Sequence, residues 1–235
     1  MSAVLLEQGA QLEAFDLFPE FFESDRIECK KADLSADLPI DDATADLVLC
    51  QEGIEHLPDQ LQALRELARI LKADGRLLLT TPNISHLRAR VGNLLVESDH
   101  ARRLPANELD DIWYASDESS YFGHLYLIGI QRLRVLARIA GLRLKVVHAT
   151  RISWTSALFG FLYPLVWLYS WRAYRRNFRK NKKAAPELKK EIYGEIFRLN
   201  TSPRVLFGKH LFVEFERTEP WDSARNVYKD RGNIY

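Results

Sequence analysis

The densest chemistry in the chain lies in Gln51-Glu52-Gly53-Ile54-Glu55-His56-Leu57-Pro58. Glu52 and Glu55 stand three apart with His56 adjacent, so one helical turn would converge two carboxylates and an imidazole. Such donors suit a divalent ion such as Mg. Without an ion, the same turn supplies a general base, orients a bound molecule, or is purely structural. Two further carboxylates, Asp16 and Asp33, each follow a short apolar run. A carboxylate at the carboxyl end of a strand lies where ligands settle in open α/β sheets, and it can accept two hydrogen bonds from a vicinal diol. The competing reading of both residues is a cap for the following turn.

These residues need strands that end together. From Gln11 to Thr81, short apolar runs alternate with amphipathic stretches, which is the pattern of an α/β layered fold with a parallel sheet. Strands are predicted over 11–15, 26–30, 45–50 and 76–81, with a helical turn over 19–24. A helix over 59–71 carries Leu61, Leu64, Leu67, Ala68 and Leu71 at helical spacing and is stopped by Lys72-Ala73-Asp74-Gly75. The 45–50 run, nearly continuous in Leu and Val, reads as a strand buried on both faces. Asn83 to Gly123 is polar and irregular, with the length of a lid, and Asn83 either meets substrate or caps the next turn. A helix over 131–140 stopped by Gly141, then strands over 142–148 and 209–217, complete the pattern. The expected organisation is a core over 1–150, a helical insertion over 151–207, the last strand over 208–217 and a polar tail over 218–235. His86, His100, His148 and His210 lack acidic or histidine company in sequence and read as ordinary polar residues.

The 235 residues are 47% hydrophobic and 28% charged, a globular balance that argues against disorder, collagen-like repeats and multi-span membrane proteins. The net charge of +1 hides an uneven distribution. Arg172 to Lys190 holds nine bases and one acid, Glu187, for a local +8, which leaves −7 for the rest. Cys29 and Cys50 make no disulfide framework, and the first ten residues do not read as a signal peptide, so a reducing, cytoplasmic setting is expected. Ile152 to Trp171 runs twenty residues without a charge, seven of them aromatic. It is long enough to cross a bilayer, yet it joins two strands that should pair, so both its ends must emerge on one side. With Pro164 in mid-segment and the bases that follow, it reads as an in-plane or re-entrant hairpin, peripheral at an anionic membrane surface. A buried insertion or dimer interface is the alternative.

In their order and spacing, several of these stretches resemble the class I S-adenosylmethionine-dependent methyltransferases. Phe15-Asp16-Leu17-Phe18-Pro19-Glu20 resembles the strand end whose acid accepts hydrogen bonds from the ribose. Lys31-Ala32-Asp33-Leu34 resembles the acidic turn that reaches the adenine amine. Leu38-Pro39-Ile40-Asp41-Asp42 and the strand from Ala45 to Cys50 resemble the family's pre-strand turn and fourth strand. Leu64 to Lys72 with Asp74-Gly75-Arg76 resembles the helix and turn leading into the fifth. The resemblance implies a Rossmann-like α/β fold, S-adenosyl-L-methionine as cofactor, and Asp16, Leu17, Asp33, Leu34 and Gln51 as residues that bind it. It also implies a first strand and a Gly-rich turn roughly thirty residues upstream of Asp16. Fifteen residues precede Asp16, with Gly9 the one glycine, so that strand and turn are not expected among them. Either the start lies further upstream, or the chain is a non-catalytic relative using the fold as a scaffold.

Glu52, Glu55 and His56 are similar to the metal-binding motif of small-RNA 2′-O-methyltransferases and of ubiquinone-pathway O-methyltransferases. In the former a further histidine follows the fifth strand, a place that His124 takes in Tyr121-Phe122-Gly123-His124. The implied activity is methylation of a hydroxyl on a lipid-linked sugar or other small amphiphile. Either a metal polarises the hydroxyl, or His56 or His124 serves as general base. The apolar 152–171 stretch argues against a nucleic-acid acceptor, although Tyr174 and Phe178 interleave with bases.

Overall fold

The computed structural model describes residues 2–24, 26–98, 104–114, 120–182 and 185–220, so His100 and most of the tail lie outside the described residues. The chain folds as α/β with a mixed sheet. After α1 (Ser2–Glu7), β1 (Ala14–Asp16) and β2 (Cys29–Lys31) pair in parallel as a small sheet, with Asp16 beside Lys31. The main sheet has the order β3 (Ala45–Gln51), β4 (Leu71–Pro82), β8 (His210–Arg217), β7 (Leu142–Val147). β3 runs parallel to β4, and β8 is antiparallel to both its neighbours. A short hairpin, β5 (Ile112–Tyr114) and β6 (Ser120–Phe122), stands apart.

The crossover between β3 and β4 is α2 (Gln60–Ile70), started by Asp59, whose side chain accepts from Gln62 N–H. Its Leu64, Leu67 and Ala68 bury with Ile130, Leu133 and Ala137 of α4 (Ile130–Ile139) over Leu77, Leu79, Val213 and Phe215 of the sheet. β8 alternates cleanly, with Leu211, Val213 and Phe215 fully buried. β3 departs from the sequence reading. Only Cys50 in it is buried and Leu47 is 40% exposed, because among the described residues β3 has a sheet neighbour on one side alone. The predicted helix stop at 72–75 is a bulge inside β4: Ala45 pairs with Leu71, and Leu47 then pairs with Arg76. Gly75 is required there by close approach, since a Cβ would stand 2.9 Å from Lys72 O and 3.2 Å from Ala45 O.

Between β7 and β8 run α5 (Trp154–Leu158), a 3₁₀ turn over Gly160–Leu162, α6 (Tyr163–Lys180), α7 (Pro186–Thr201) and α8 (Pro203–Phe207). Pro164 sits in the first turn of α6, where a missing N–H costs nothing, rather than breaking a helix midway. Backbone bonds from Ser153 N–H to Phe207 O and from Lys209 N–H to Arg151 O, both 2.8 Å, close the stem, so its two ends do emerge side by side. α7 fastens the insertion to α4 through Arg134–Glu195 at 3.0 Å and through Gln131, which donates to Ile196 O and Asn200 Oδ1. Among the described residues no helix is long and apolar enough to cross a membrane.

Candidate active site

Asp16 and Asp33 lie at the same, carboxyl-terminal end of the small parallel sheet. Asp16 ends β1, and its backbone carbonyl accepts from Ala32 N–H at 2.9 Å. Asp16 Oδ1 accepts from Phe18 N–H at 2.9 Å, and Asp33 Oδ1 accepts from Ser35 N–H and Ser35 Oγ. Both therefore do the capping of the competing reading, with one oxygen each, and both stay exposed. Leu17 is half-buried in the turn after β1, and Leu34 is half-buried against the core. Gln51 ends β3 and is exposed.

Beyond Gln51 the chain makes a 3₁₀ turn over Ile54–His56, tighter than an α-turn and starting after Glu52. Glu52 is accordingly not brought to Glu55. Its backbone is left-handed, φ +48°, and its Oε1 lies 3.3 Å from His210 Nδ1. The structure instead gathers Glu55, His56 and His124, one donor atom from each lying within 4.8 Å of the others. His124 opens a matching 3₁₀ turn over His124–Tyr126, and its ring centroid stands 5.4 Å from that of His56.

The polar contacts set the chemistry of each group. His56 Nδ1 is 2.8 Å from the carbonyl oxygens of both Phe122 and Gly123. Carbonyls only accept, so Nδ1 carries the proton, and neutral His56 keeps its lone pair on Nε2. Glu55 is fully buried; Oε2 accepts from Thr81 Oγ1 at 3.0 Å, while Oε1 has no hydrogen-bond partner among the described residues. Burial pushes the Glu55 carboxyl above the usual carboxylate range, against the lowering effect of its own N–H and of Thr81. Burial also raises the Cys50 thiol to about 12, with Glu55 and Glu52 adding to it, so Cys50 is an inert filler of the core.

Two positioning residues escaped the sequence reading. Gln60 is buried and its Nε2 donates to Ile54 O at 3.1 Å and Tyr126 O at 2.6 Å, tying the two 3₁₀ turns together. Thr81 orients Glu55 from β4. Neither carries a sequence signal, since Gln and Thr are ordinary at such positions. Asn83 caps the next turn through Ser85 N–H, and its Nδ2 donates to Val205 O and Gly208 O, so it is committed to structure. His148 and His210 have acidic partners after all, Glu214 at 2.9 Å and Glu52 at 3.3 Å, brought across the sheet by strand pairing. His86 caps α3 (Leu87–Val96) by accepting from Ala89 N–H.

Two further contacts extend the site. The ring of Phe18, just after Asp16, packs 4.9 Å from that of Tyr121, three residues before His124. On its other side His124 lines a cleft whose facing wall includes Ser98, Leu104, Asn107 and Asp111. Of the predicted lid, residues 99–103 and 115–119 lie outside the described residues.

Comparison with known proteins adds four findings. Residues 1–79 match the family model described as a methyltransferase domain. A Mycobacterium tuberculosis protein named "Probable S-adenosylmethionine-dependent methyltransferase" is 40% identical over 88 residues, 37% of this chain and 31% of that one. A ubiquinone biosynthesis O-methyltransferase of Xanthomonas campestris is 34% identical over 92 residues, 35% of this chain and 38% of that one. The chain thus spans about a third of the length of the curated relatives it matches. An S-adenosylmethionine-dependent methyltransferase structure from Archaeoglobus fulgidus aligns over 92% of this chain and 80% of that one, at 14% identity and a TM-score of 0.45.

Proposed function

We propose that this chain transfers a methyl group from S-adenosylmethionine to a hydroxyl of a small amphiphilic acceptor such as a lipid-linked sugar, a reading supported by the match of residues 1–79 to the methyltransferase-domain family model. The observation that carries the reading is the convergence of Glu55, His56 and His124 beyond the carboxyl end of β3, on a fold whose Asp16 and Asp33 share the corresponding end of the neighbouring sheet.

The residues fit the cofactor at Asp16, whose Oδ1 is held by Phe18 N–H while Oδ2 remains for a ribose hydroxyl. S-adenosylmethionine supplies an electrophilic methyl on a sulfonium; the protein has to deliver a hydroxyl in line and remove its proton. His56 is built for the proton. The two carbonyls that hold Nδ1–H fix the ring, leaving Nε2 to receive the acceptor's proton. The cleft beside His124 joins polar Asn107 and Asp111 with apolar Leu104, Leu125 and Leu127, a lining suited to an acceptor with a polar head and an apolar stem.

One observation favours a second version of the same chemistry. The unpartnered buried Glu55 Oε1 beside two imidazoles is a donor set that fits a divalent cation. Glu55, His56 and His124 would hold it, and it would supply Lewis acidity to the acceptor oxygen.

The test is transfer of labelled methyl from S-adenosylmethionine to a lipid extract, with alkaline hydrolysis to separate ethers from esters. Alkali-stable label in the organic phase is the expected result. Label released as methanol overturns the hydroxyl acceptor, and absence of both transfer and S-adenosylmethionine binding favours the scaffold alternative. Loss of transfer on chelation and its return with Mg or Mn select the metal version; insensitivity selects His56 alone.

A further inference from the structure

The insertion's longest helix has two faces of different character. At 3.6 residues per turn, Tyr163, Val166, Ser170, Tyr174 and Phe178 share one side of α6. That side packs on α7: Tyr163 OH donates to Thr201 O, Tyr174 stands 6.1 Å from Phe197, and Lys189 Nζ lies 4.7 Å over the Phe178 ring. The opposite side carries Leu165, Leu168, Tyr169, Arg172, Arg176 and Arg179, all exposed. Its first two turns are apolar, with Leu165 62% and Tyr169 75% exposed, and Phe161, Leu158 and Trp154 continue the patch at 72%, 73% and 81%. Its last turns are cationic.

Among the described residues, Arg172, Arg175, Arg176, Arg179 and Lys180 have no carboxylate within salt-bridge distance. Of the acids of α7, Glu195 is engaged with Arg134 and Glu191 with Arg143, and Glu187 in its first turn forms no ion pair with these bases among the described residues. Arg175 lies 4.8 Å over the Trp171 ring, which keeps the guanidinium at an aromatic rim. An apolar patch rich in Trp, Phe and Tyr that passes along one helix face into uncompensated arginines is the chemistry of a helix lying in the plane of a membrane interface.

We propose that the outward face of α5 and α6 docks in plane on an anionic lipid bilayer, with Trp154, Leu158, Phe161 and Leu165 entering the interfacial layer and Arg172, Arg176 and Arg179 meeting headgroup phosphates. Charge complementarity selects this occupant. A second copy of the chain on the same face would bring either arginines against arginines or arginines against the apolar turns, leaving cations uncompensated both ways. The surface also has a connection to the cleft. α3 touches α5 through Arg88, which donates to Thr155 Oγ1, and the residues just after α3, Glu97 and Ser98, form the cleft wall. The docking stands on the helix face alone and is independent of the methyl-transfer reading.

The test is flotation of the full chain with phosphatidylcholine vesicles, with and without phosphatidylglycerol. Strong flotation with the anionic vesicles alone, falling as salt is raised, is the expected result. Arg172→Gln with Arg176→Gln lowers the partition coefficient by about 25-fold, from roughly fivefold per base. Phe161→Ser with Leu165→Ser lowers it further while helix content and S-adenosylmethionine binding match the parent chain. Failure of the unaltered chain to float, or salt-independent flotation, overturns the docking whatever the variants do. A dimer dissociated by Leu165→Asp without flotation overturns it in favour of self-association, and salt-sensitive RNA binding without flotation in favour of nucleic acid. A chain that methylates a detergent-dispersed acceptor but never floats rejects the surface and leaves the chemistry standing.

Discussion

His56 has its tautomer dictated by two carbonyls, and this makes its role testable apart from its neighbours. His56→Ala lowers kcat by about 10² to 10⁴ with S-adenosylmethionine affinity unchanged by calorimetry, whereas Glu52→Ala leaves transfer near the parent rate, since Glu52 pairs with His210 outside the cluster. Glu55 has a further signature. Its folded pKa is raised above the ordinary 4.5, so the native state holds the proton more tightly than the unfolded chain, and stability falls as pH rises from 4.5 through the folded value. Glu55→Gln should therefore raise Tm at neutral pH, with the gain shrinking as pH approaches 4.5; a gain that persists there would contradict the burial argument. The sequence made Glu55 and His56 legible because acid and imidazole types cluster near a strand end, whereas His124, far off in sequence, came only from the family resemblance. Glu52 is not gathered with them because the turn begins only at Ile54, two residues on, and the left-handed backbone at Glu52 lies before it.

At the scale of elements, one side chain explains why the turn over 38–42 and α2 go together. Arg69 donates to Leu38 O, Ile40 O and Asp42 Oδ1, and its partner Glu66 accepts from Leu38 N–H. Glu66 is 6% exposed, and hydrogen bonding to Arg69 holds its carboxyl below the usual range. Arg69→Met should cost about 2–4 kcal/mol in urea unfolding, chiefly because Glu66 would be left buried without its cation. Glu66 has a lowered folded pKa, so its contribution is full above 4.5 and declines as pH falls through the folded value. α2, α4, β4, β7 and β8 were readable because burial stamps a period of 3.6 or 2 on them. β3 was misread for a related reason. A run of Leu and Val announces a strand, yet how much of it is covered depends on neighbours that the run does not encode.

Across the molecule, charge is segregated: a body with an excess of acids carries a basic helix on a stem fastened to α4. Segregation of this kind orients a protein before contact, so the rate of vesicle association in stopped flow should drop steeply between low and physiological salt while dissociation changes less. The outline of this arrangement, an insertion whose ends leave together, followed from strand pairing alone. The division of α6 into a packed and an open face did not, since either face carries aromatic residues and only α7 decides which is covered.

The bonded stem at Ser153–Phe207 and Arg151–Lys209 has a last consequence. β7 and β8 are already antiparallel neighbours, so the ladder beneath the stem keeps its register whatever the number of residues above it. Closing a longer loop on a fixed base costs only about 0.6 kcal/mol per doubling of its length. Linker residues spliced in between α6 and α7 should therefore be almost weightless for the sheet, making that junction a tolerant attachment point for a fluorophore or a spin label.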